Sequence, residues 1–361
     1  LCTMNEKSSE NVSRETNYYH FEEDLNRFPD CWCFVVWSAR GVGKTYSALW
    51  YARENHIPIV YMKRTKNDVN LICNENKIGF DASPYVPINR DKGTNIKARR
   101  IQDGIGGVYE IEDEETPPGM PIAYTLALSA AKSYKGFDFS RCEWLVFDEF
   151  IPQQGEIMRH AEGEMLLDLY MTIRRDREQR GRDPLKLILF ANSEEISTPI
   201  TNVLEIVDIM AEMNATGEEY HETRGILLHH VPGLPERNTE SGIYAAMEGT
   251  AWAEKAFGGL FSNNDFSCVK KMSIKGMRPV VGIRHRRKTY FIYQRGDGIH
   301  YMTDSAAAGC KIYDLEKETE ARRFWLEHGI DLNMRIIDGK VFFKKYSMYD
   351  LLFNFKKHFS C

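Results

Sequence analysis

The strongest constraint in this chain is a short segment in which an apolar run, a glycine-bearing turn and a helix start follow one another without a gap. Phe34-Val35-Val36-Trp37 leads into Ser38-Ala39-Arg40-Gly41-Val42-Gly43-Lys44-Thr45. The pattern G-x-x-x-x-G-K-[ST] is matched throughout except at its first glycine, where Ser38 stands. A strand that passes into a helix through such a turn points backbone N–H groups inward, where they bind phosphate oxygens. Gly41 and Gly43 let the backbone approach those oxygens with no Cβ in the way. Lys44 offers an ammonium to the β- and γ-phosphates, and Thr45 offers a hydroxyl to Mg²⁺. Ser38, Ala39, Arg40, Gly41, Val42, Gly43, Lys44 and Thr45 are therefore the expected nucleotide cradle. Arg40, inside the turn, is placed to reach a γ-phosphate from the same chain.

A second element supports the first. The apolar run Trp144-Leu145-Val146-Phe147 ends in Asp148-Glu149. A carboxylate at the carboxyl end of a strand holds Mg²⁺ through its water shell, and this is the expected role of Asp148, with Thr45. Glu149 is the expected base that polarises the attacking water. Paired carboxylates at a strand end are usually only solvated, but following a phosphate-binding turn they acquire a purpose. A third run, Leu187–Ala191, ends in Asn192, a candidate to sense the γ-phosphate or to position the water. Lys44, Glu149 and Asn192 thus form the expected catalytic set, with ATP and Mg²⁺ as cofactors, and the chemistry is hydrolysis.

From Cys33 to Ser193, short apolar runs alternate with amphipathic stretches, which predicts an α/β domain with a mainly parallel sheet. Strands are expected at Cys33–Trp37, Ile59–Lys63, Ile122–Leu128, Trp144–Phe147 and Leu185–Ala191, and helices at Lys44–Glu54 and Gly163–Arg175. Glu110–Pro121 reads as a surface loop. A Pro/Gly-rich break falls at Val231–Gly242, before a short helix at Ile243–Phe257. Beyond it the rhythm changes to a basic-tipped hairpin at Arg278–Tyr293, a helix at Tyr313–His328, a second hairpin from Asn333–Ile337 and Lys340–Lys344, and a closing helix at Tyr349–His358. The expected division is an ATPase domain over 1–230, a linker over 231–258 and a smaller α+β domain over 259–361.

Composition fits a globular chain, with 43% hydrophobic and 27% charged residues, and excludes an intrinsically disordered one. No apolar run is long enough to cross a bilayer, and the first residues lack the charged-then-apolar signal pattern. The eight cysteines follow no disulfide or zinc spacing, so free thiols are expected. The net charge of −5 conceals an asymmetry: residues 261–361 carry nineteen Lys/Arg against eleven Asp/Glu. A basic end joined to an acidic body favours a nucleic-acid or acidic partner there.

Taken together, Ser38 to Tyr46, Phe147-Asp148-Glu149-Phe150-Ile151, Arg175-Asp176-Arg177-Glu178 and the Asn192-Ser193 pair resemble the DNA-packaging (encapsidation) ATPases of phi-29 type small tailed phages. Tyr61-Met62-Lys63-Arg64-Thr65-Lys66 is similar to that family's strand and basic loop, and the likeness covers about Cys33–Asn202. The resemblance implies a P-loop NTPase of the ASCE type, with a C-terminal domain like an RNase H nuclease that has lost its carboxylates. It implies a homomeric ring, a pentamer, at the portal (connector) vertex of an empty capsid in the host cytoplasm, threading double-stranded DNA inward. It implies Arg175 as an arginine acting in the neighbouring subunit's site, with Arg174 as the alternative, and Lys63, Arg64, Lys66, Lys132 and Lys135 facing the DNA. Phosphate contacts of that kind are independent of sequence and sensitive to salt. The basic tip Arg284-His285-Arg286-Arg287-Lys288 then serves docking, on a structural RNA, on DNA or on the portal.

Two other readings share the ATP site. A helicase or other DNA translocase would show further motifs after Asn192, and a terminase-like enzyme would cut DNA with clustered carboxylates around metal ions. Asp297, Asp304, Asp314, Asp331, Asp338 and Asp350 are instead scattered, so no nuclease is expected.

Overall fold

The computed structural model describes residues 18–73, 82–112, 119–134, 136–153, 156, 158–232, 246–247, 249–250, 261 and 264–359. The chain divides into two compact units: Leu1–Glu195 with Met213–Ser262, and Ile196–Glu212 with Asn263–Cys361.

The first unit is built on one nine-stranded sheet. Its elements are α1 (Phe21–Arg27), β1 (Cys33–Ser38), α2 (Lys44–Glu54), β2 (Ile59–Lys63), α3 (Lys66–Ile72), α4 (Val86–Lys92), β3 (Ile96–Gln102), β4 (Ile105–Glu110), β5 (Ala123–Ala127), β6 (Trp144–Asp148), α5 (Glu162–Arg174), β7 (Lys186–Asn192), β8 (Tyr220–Thr223) and β9 (Ile226–Val231). The strand order is β3-β4-β5-β2-β6-β7-β1-β9-β8. The six strands from β5 to β9 in that order run parallel, while β3, β4 and β8 close the two edges in antiparallel pairing. All six residues of β1 are buried, as a strand covered on both faces requires. Phe21 of α1 seals one face, with its ring edge-on to Phe34, Trp144 and Phe190.

The expected strands and helices of this unit are present, with ends displaced by a residue or two. The sequence reading missed the β3–β4 hairpin, although Asp103-Gly104 at its tip is a strong turn signal and Gly104 adopts φ 79°. The expected loop at 110–121 and the expected helix at 243–257 fall largely outside the described residues.

The second unit carries a five-stranded sheet of order β13-β10-β11-β12-β14. Its elements are α6 (Pro199–Val203), α7 (Val207–Thr216, crossing the division), β10 (Arg278–His285), β11 (Lys288–Gln294), β12 (His300–Thr303), β13 (Ile312–Asp314), α8 (Glu318–Phe324), α9 (Ile330–Ile337), β14 (Val341–Phe343), α10 (Tyr346–Phe353) and α11 (Phe355–His358). Strands β10, β11 and β12 form an antiparallel meander; β13 joins β10 and β14 joins β12, both in parallel. Residues 196–212, which the sequence reading assigned to the ATPase domain, belong here because their polar side chains are tied to the C-terminal stretch. Asp208 caps Ser347 at 2.8 and 2.9 Å, and the Ser197 hydroxyl donates to Asp350.

The expected basic-tipped hairpin is β10–β11. The expected second hairpin is not formed. Residues 333–337 lie in α9, where Leu332 and Ile336 bury one helical face at i,i+4 spacing, and β14 pairs in parallel with β12 instead. The scattered aspartates are engaged separately: Asp297 with Arg295, Asp304 with Lys344, Asp331 with Arg335 and Asp350 with His358.

Candidate active site at the carboxyl edge of the sheet

Strands β1, β2, β6 and β7 all end at one edge. Ser38 is in register with Asn192, and Asp148 with Phe190. Because β7 lies between β1 and β6, Asn192 stands between the glycine turn and the acidic pair. Open α/β sheets bind ligands at the carboxyl ends of their strands, and here a cavity of about 420 Å³ opens beside Gly41, Lys44, Thr45, Asp148, Glu149 and Asn192.

The turn has the geometry its residues predict. Gly41 (φ 80°) and Gly43 (φ 90°) both lie in the left-handed region that glycine alone enters freely. A Cβ at Gly43 would also sit 3.0 Å from the ring of Tyr18. Lys44 begins α2 and is buried, and its ammonium donates to the Ser38 hydroxyl and, at 3.5 Å, to the Ala39 carbonyl and Asn192 Oδ1. Burial pushes its pKa down to about 8, against the opposing pull of Asp148 and Glu149.

Thr45 Oγ1 donates to Asp148 Oδ1 at 2.9 Å, so the two expected metal-holding oxygens already meet. The other Asp148 oxygen accepts from the Tyr61 hydroxyl at 2.7 Å and from Lys63 Nζ at 3.1 Å. Tyr61 and Lys63 share a strand face at i,i+2, which aims both at the end of β6. Lys63 Nζ also reaches Glu149 at 2.9 Å. Glu149 holds φ 57°, a left-handed conformation that costs a glutamate about 1–3 kcal/mol and persists only where its surroundings enforce it. Arg64 supplies part of that enforcement. It is buried, donates to the carbonyls of Phe150 (2.8 Å) and Glu149 (3.3 Å), and pairs with Glu162 at the start of α5.

A hydroxyl and a carboxylate in contact are hard oxygen donors of the kind Mg²⁺ takes, and Gly41 and Gly43 line the cavity with backbone alone; the residues present fit Mg²⁺ and a nucleoside triphosphate.

The remaining expected site residues fall out as follows. Ala39 and Val42 are buried within the turn, and Arg40 points outward to Glu194 at 3.5 Å. At the end of α5, Arg174 is held by Glu178 at 2.5 Å, whereas Arg175 is exposed, holds φ 41°, and donates Nε to the Thr172 carbonyl at 3.1 Å. Of the residues expected at the DNA, Lys63 is bound between Asp148 and Glu149, and Arg64 is buried and donates to the Phe150 carbonyl. Lys66 is exposed beside Asp103 at 2.8 Å, Lys132 is exposed, and Lys135 lies outside the described residues. The sequence reading also missed Arg177, which is buried and ties together the carbonyls of Ser140, Cys142 and Asp183. One arginine among the five of residues 174–182 gives no sequence signal of that role.

A mainly parallel sheet with a phosphate-binding turn after its first strand, an acidic pair one strand removed and a polar residue between them defines a P-loop NTPase of the ASCE type. No family model and no curated protein sequence matches the chain. Two solved structures share its fold over nearly the whole length. A chain of the phi-28 gp11 DNA packaging motor is 17% identical, with a TM-score of 0.62, covering 96% of this chain and 99% of that one. A chain of the bacteriophage phi-29 viral genome packaging motor assembly is 15% identical, with a TM-score of 0.63, covering 95% and 99%.

Proposed function

We propose that this chain is the ATPase subunit of a viral genome-packaging motor, hydrolysing ATP to drive double-stranded DNA into a preformed capsid. The observation that carries this reading is Thr45 in hydrogen-bond contact with Asp148, with Glu149 beside it, inside a chain whose fold matches packaging-motor chains over nearly its whole length. In this reading the N–H groups of Gly41 to Lys44 bind the phosphates, and Lys44 exchanges the Ser38 hydroxyl for the β- and γ-oxygens. Thr45 and Asp148 hold Mg²⁺, which when bound neutralises charge on the phosphates. Asn192 orients the γ-phosphate or the water, and Glu149, once clear of Lys63, accepts the water's proton.

The subunits form a homomeric ring, a pentamer, at the portal vertex of the prohead in the host cytoplasm. Arg175, more exposed than Arg174 and less tied to a carboxylate, enters the neighbour's site, where such an arginine is worth about 10³–10⁵ in rate. Lys66 and Lys132 touch DNA phosphates. The basic hairpin of the second unit docks on nucleic acid, including a structural RNA, or on the portal.

The test is steady-state ATP hydrolysis by the purified protein with and without long duplex DNA, beside Glu149→Gln. DNA-stimulated, salt-sensitive turnover that Glu149→Gln reduces by about 10²–10⁴ is expected. Undiminished turnover in Glu149→Gln overturns the site, and turnover indifferent to DNA even on assembled proheads overturns the motor.

A further inference from the structure

The two glycines of the phosphate turn leave it open to the ligand, and they also leave it free to rotate. Val42 stands between Gly41 and Gly43, both at positive φ, so the peptide unit joining Val42 to Gly43 meets little steric resistance. No peptide bond among the described residues is cis, and a trans unit sets its C=O and N–H on opposite sides. Half a turn of this unit would take the Gly43 N–H away from a phosphate and put a carbonyl oxygen, which repels it, in its place. A phosphate-binding turn therefore needs something that holds the Val42 carbonyl outward.

The chain supplies this from outside the cavity. The Tyr19 amide donates to the Val42 carbonyl at 3.0 Å, and neither Tyr18 nor Tyr19 lines the cavity. The Tyr18 ring packs on Gly43. The Phe21 amide donates to Ser47 Oγ at 2.8 Å near the start of α2, and the Ser47 amide donates to the Gly43 carbonyl at 2.9 Å. Residues 18–21 thus form a strap behind the turn.

A buried polar cluster fixes the strap. Asp24 Oδ2 accepts from the Tyr19 hydroxyl at 2.6 Å and lies 2.7 Å from His229 Nδ1. All three residues are buried. His229 belongs to β9, in register with Val36 of β1, and Tyr220 stacks on its ring at 4.1 Å. Burial, with the neighbouring carboxylate, pushes the Tyr19 hydroxyl well above its ordinary pKa, so it remains a donor through the neutral range. Apolar packing of Phe21 on Phe34, Trp144 and Phe190 is enough to seat α1. A buried carboxylate costs desolvation, and what it adds to that packing is one fixed place for Tyr19.

We propose that Asp24 and His229, acting through Tyr19, are positioning residues for the nucleotide: they hold the Val42 carbonyl outward and so keep the Gly43 N–H aimed at a phosphate oxygen. The proposal rests on the turn being the nucleotide cradle, and it adds to that cradle residues that touch no ligand. A phosphate held by the Gly43 N–H is present in ADP as well as ATP, whereas proton abstraction by Glu149 does not use that group. Loosening the strap should therefore cost affinity and spare the chemical step.

The experiment titrates the full chain with a fluorescent ADP analogue, beside hydrogen exchange over residues 18–21 and steady-state ATPase kinetics. Asp24→Ala is expected to expose the Tyr19 amide to exchange and to weaken ADP roughly tenfold, the worth of one hydrogen bond to a charged group. Its KM for ATP should rise in step, with kcat changed by no more than about twofold. Asp24→Asn keeps an acceptor oxygen for both partners and should recover most of the affinity. Tyr19→Phe loses a single hydroxyl and should weaken ADP about threefold; it carries the test if Asp24→Ala does not fold. Strap amides that exchange freely while ADP binds as in the parent overturn the proposal. So do strap amides that stay protected in Asp24→Ala, or an Asp24→Asn protein no better than Asp24→Ala. A parent that binds no ADP overturns the proposal together with the nucleotide site, whereas a parent that binds it and variants that match the parent sink the proposal alone.

Discussion

The ammonium of Lys63 lies 2.9 Å from the carboxylate of Glu149, and the same nitrogen lies 3.1 Å from Asp148. Burial works against the charge on Lys63, but the two carboxylates outweigh it and hold the pKa above its ordinary value. A protonated lysine thus neutralises the two groups that the site needs for metal and water. Lys44 and Lys63 both face Asp148 and Glu149, two ammonium groups against two carboxylates.

Lys63→Met removes one positive charge from beside the Asp148 oxygen that faces away from Thr45. A divalent ion then meets a net negative site, and Mg²⁺ should bind about tenfold more tightly, a modest fraction of the Coulomb energy available at that separation. Titrating Mg²⁺ into the protein with a fluorescent ATP analogue measures this directly. An unchanged half-saturating Mg²⁺ concentration would show that Lys63 does not compete with the metal.

Ser38 stands where the motif has glycine, and its hydroxyl is the nearest acceptor for the Lys44 ammonium. Nucleotide binding has to break that hydrogen bond. Ser38→Ala removes the acceptor and keeps the Cβ, raising the free energy of the nucleotide-free state by about 1 kcal/mol and tightening ATP binding roughly fivefold. Equilibrium titration with a fluorescent nucleotide decides the matter, and weaker binding in Ser38→Ala would assign the hydroxyl to the bound state instead.

Arg64 braces the strained Glu149 backbone while pairing with a buried glutamate. Arg64→Ala strands Glu162 and two carbonyls, and a loss of about 3–5 kcal/mol in stability is expected. Arg64→Lys is more informative. It keeps the charge for Glu162 but loses the planar fork that serves both carbonyls. Its kcat for ATP should fall roughly tenfold with KM little changed, because the glutamate is mispositioned while the phosphate cradle is intact. A change confined to DNA stimulation would return Arg64 to the DNA-facing role that its sequence context suggests.

Legibility in the sequence followed locality. Ser38 to Thr45 and Asp148-Glu149 were readable because each carries its chemistry in consecutive residues on a strand end, and the structure brings them together as Thr45 meeting Asp148. The carboxylate partners of Lys63 and the inward turn of Arg64 were not legible, because a basic pair after a strand looks the same whether it faces solvent or turns inward; the pairing of β2 beside β6 supplies them. Asn333–Ile337 looked like a strand because its apolar residues are closely spaced, and the helix emerges from its continuity with Leu332 and Ile336. Residues 196–212 could not be assigned from composition, since what ties them to the second unit is contact with residues more than a hundred positions away.

Asp350 is buried in the second unit and accepts from His358 Nε2 and Asn354 Nδ2, both at 2.7 Å, and from the Ser197 hydroxyl. Burial alone would push its carboxyl up; the hydrogen bond and charge of His358, with Ser197 and Asn354, outweigh it and hold the pKa below the ordinary 3.8. A carboxyl with a lower pKa folded than unfolded contributes stability that is fully present above the unfolded value and is lost as pH falls through the folded one. The parent should therefore lose stability steeply below about pH 4, and Asp350→Asn should be weaker by about 3 kcal/mol near neutrality but flatter on the acid side. Urea midpoints for both proteins between about pH 7 and pH 2.5 test this sign. If Asp350→Asn loses as much stability below pH 4 as the parent does, then other carboxylates govern the acid limb and the buried Asp350–His358 pair is not its source.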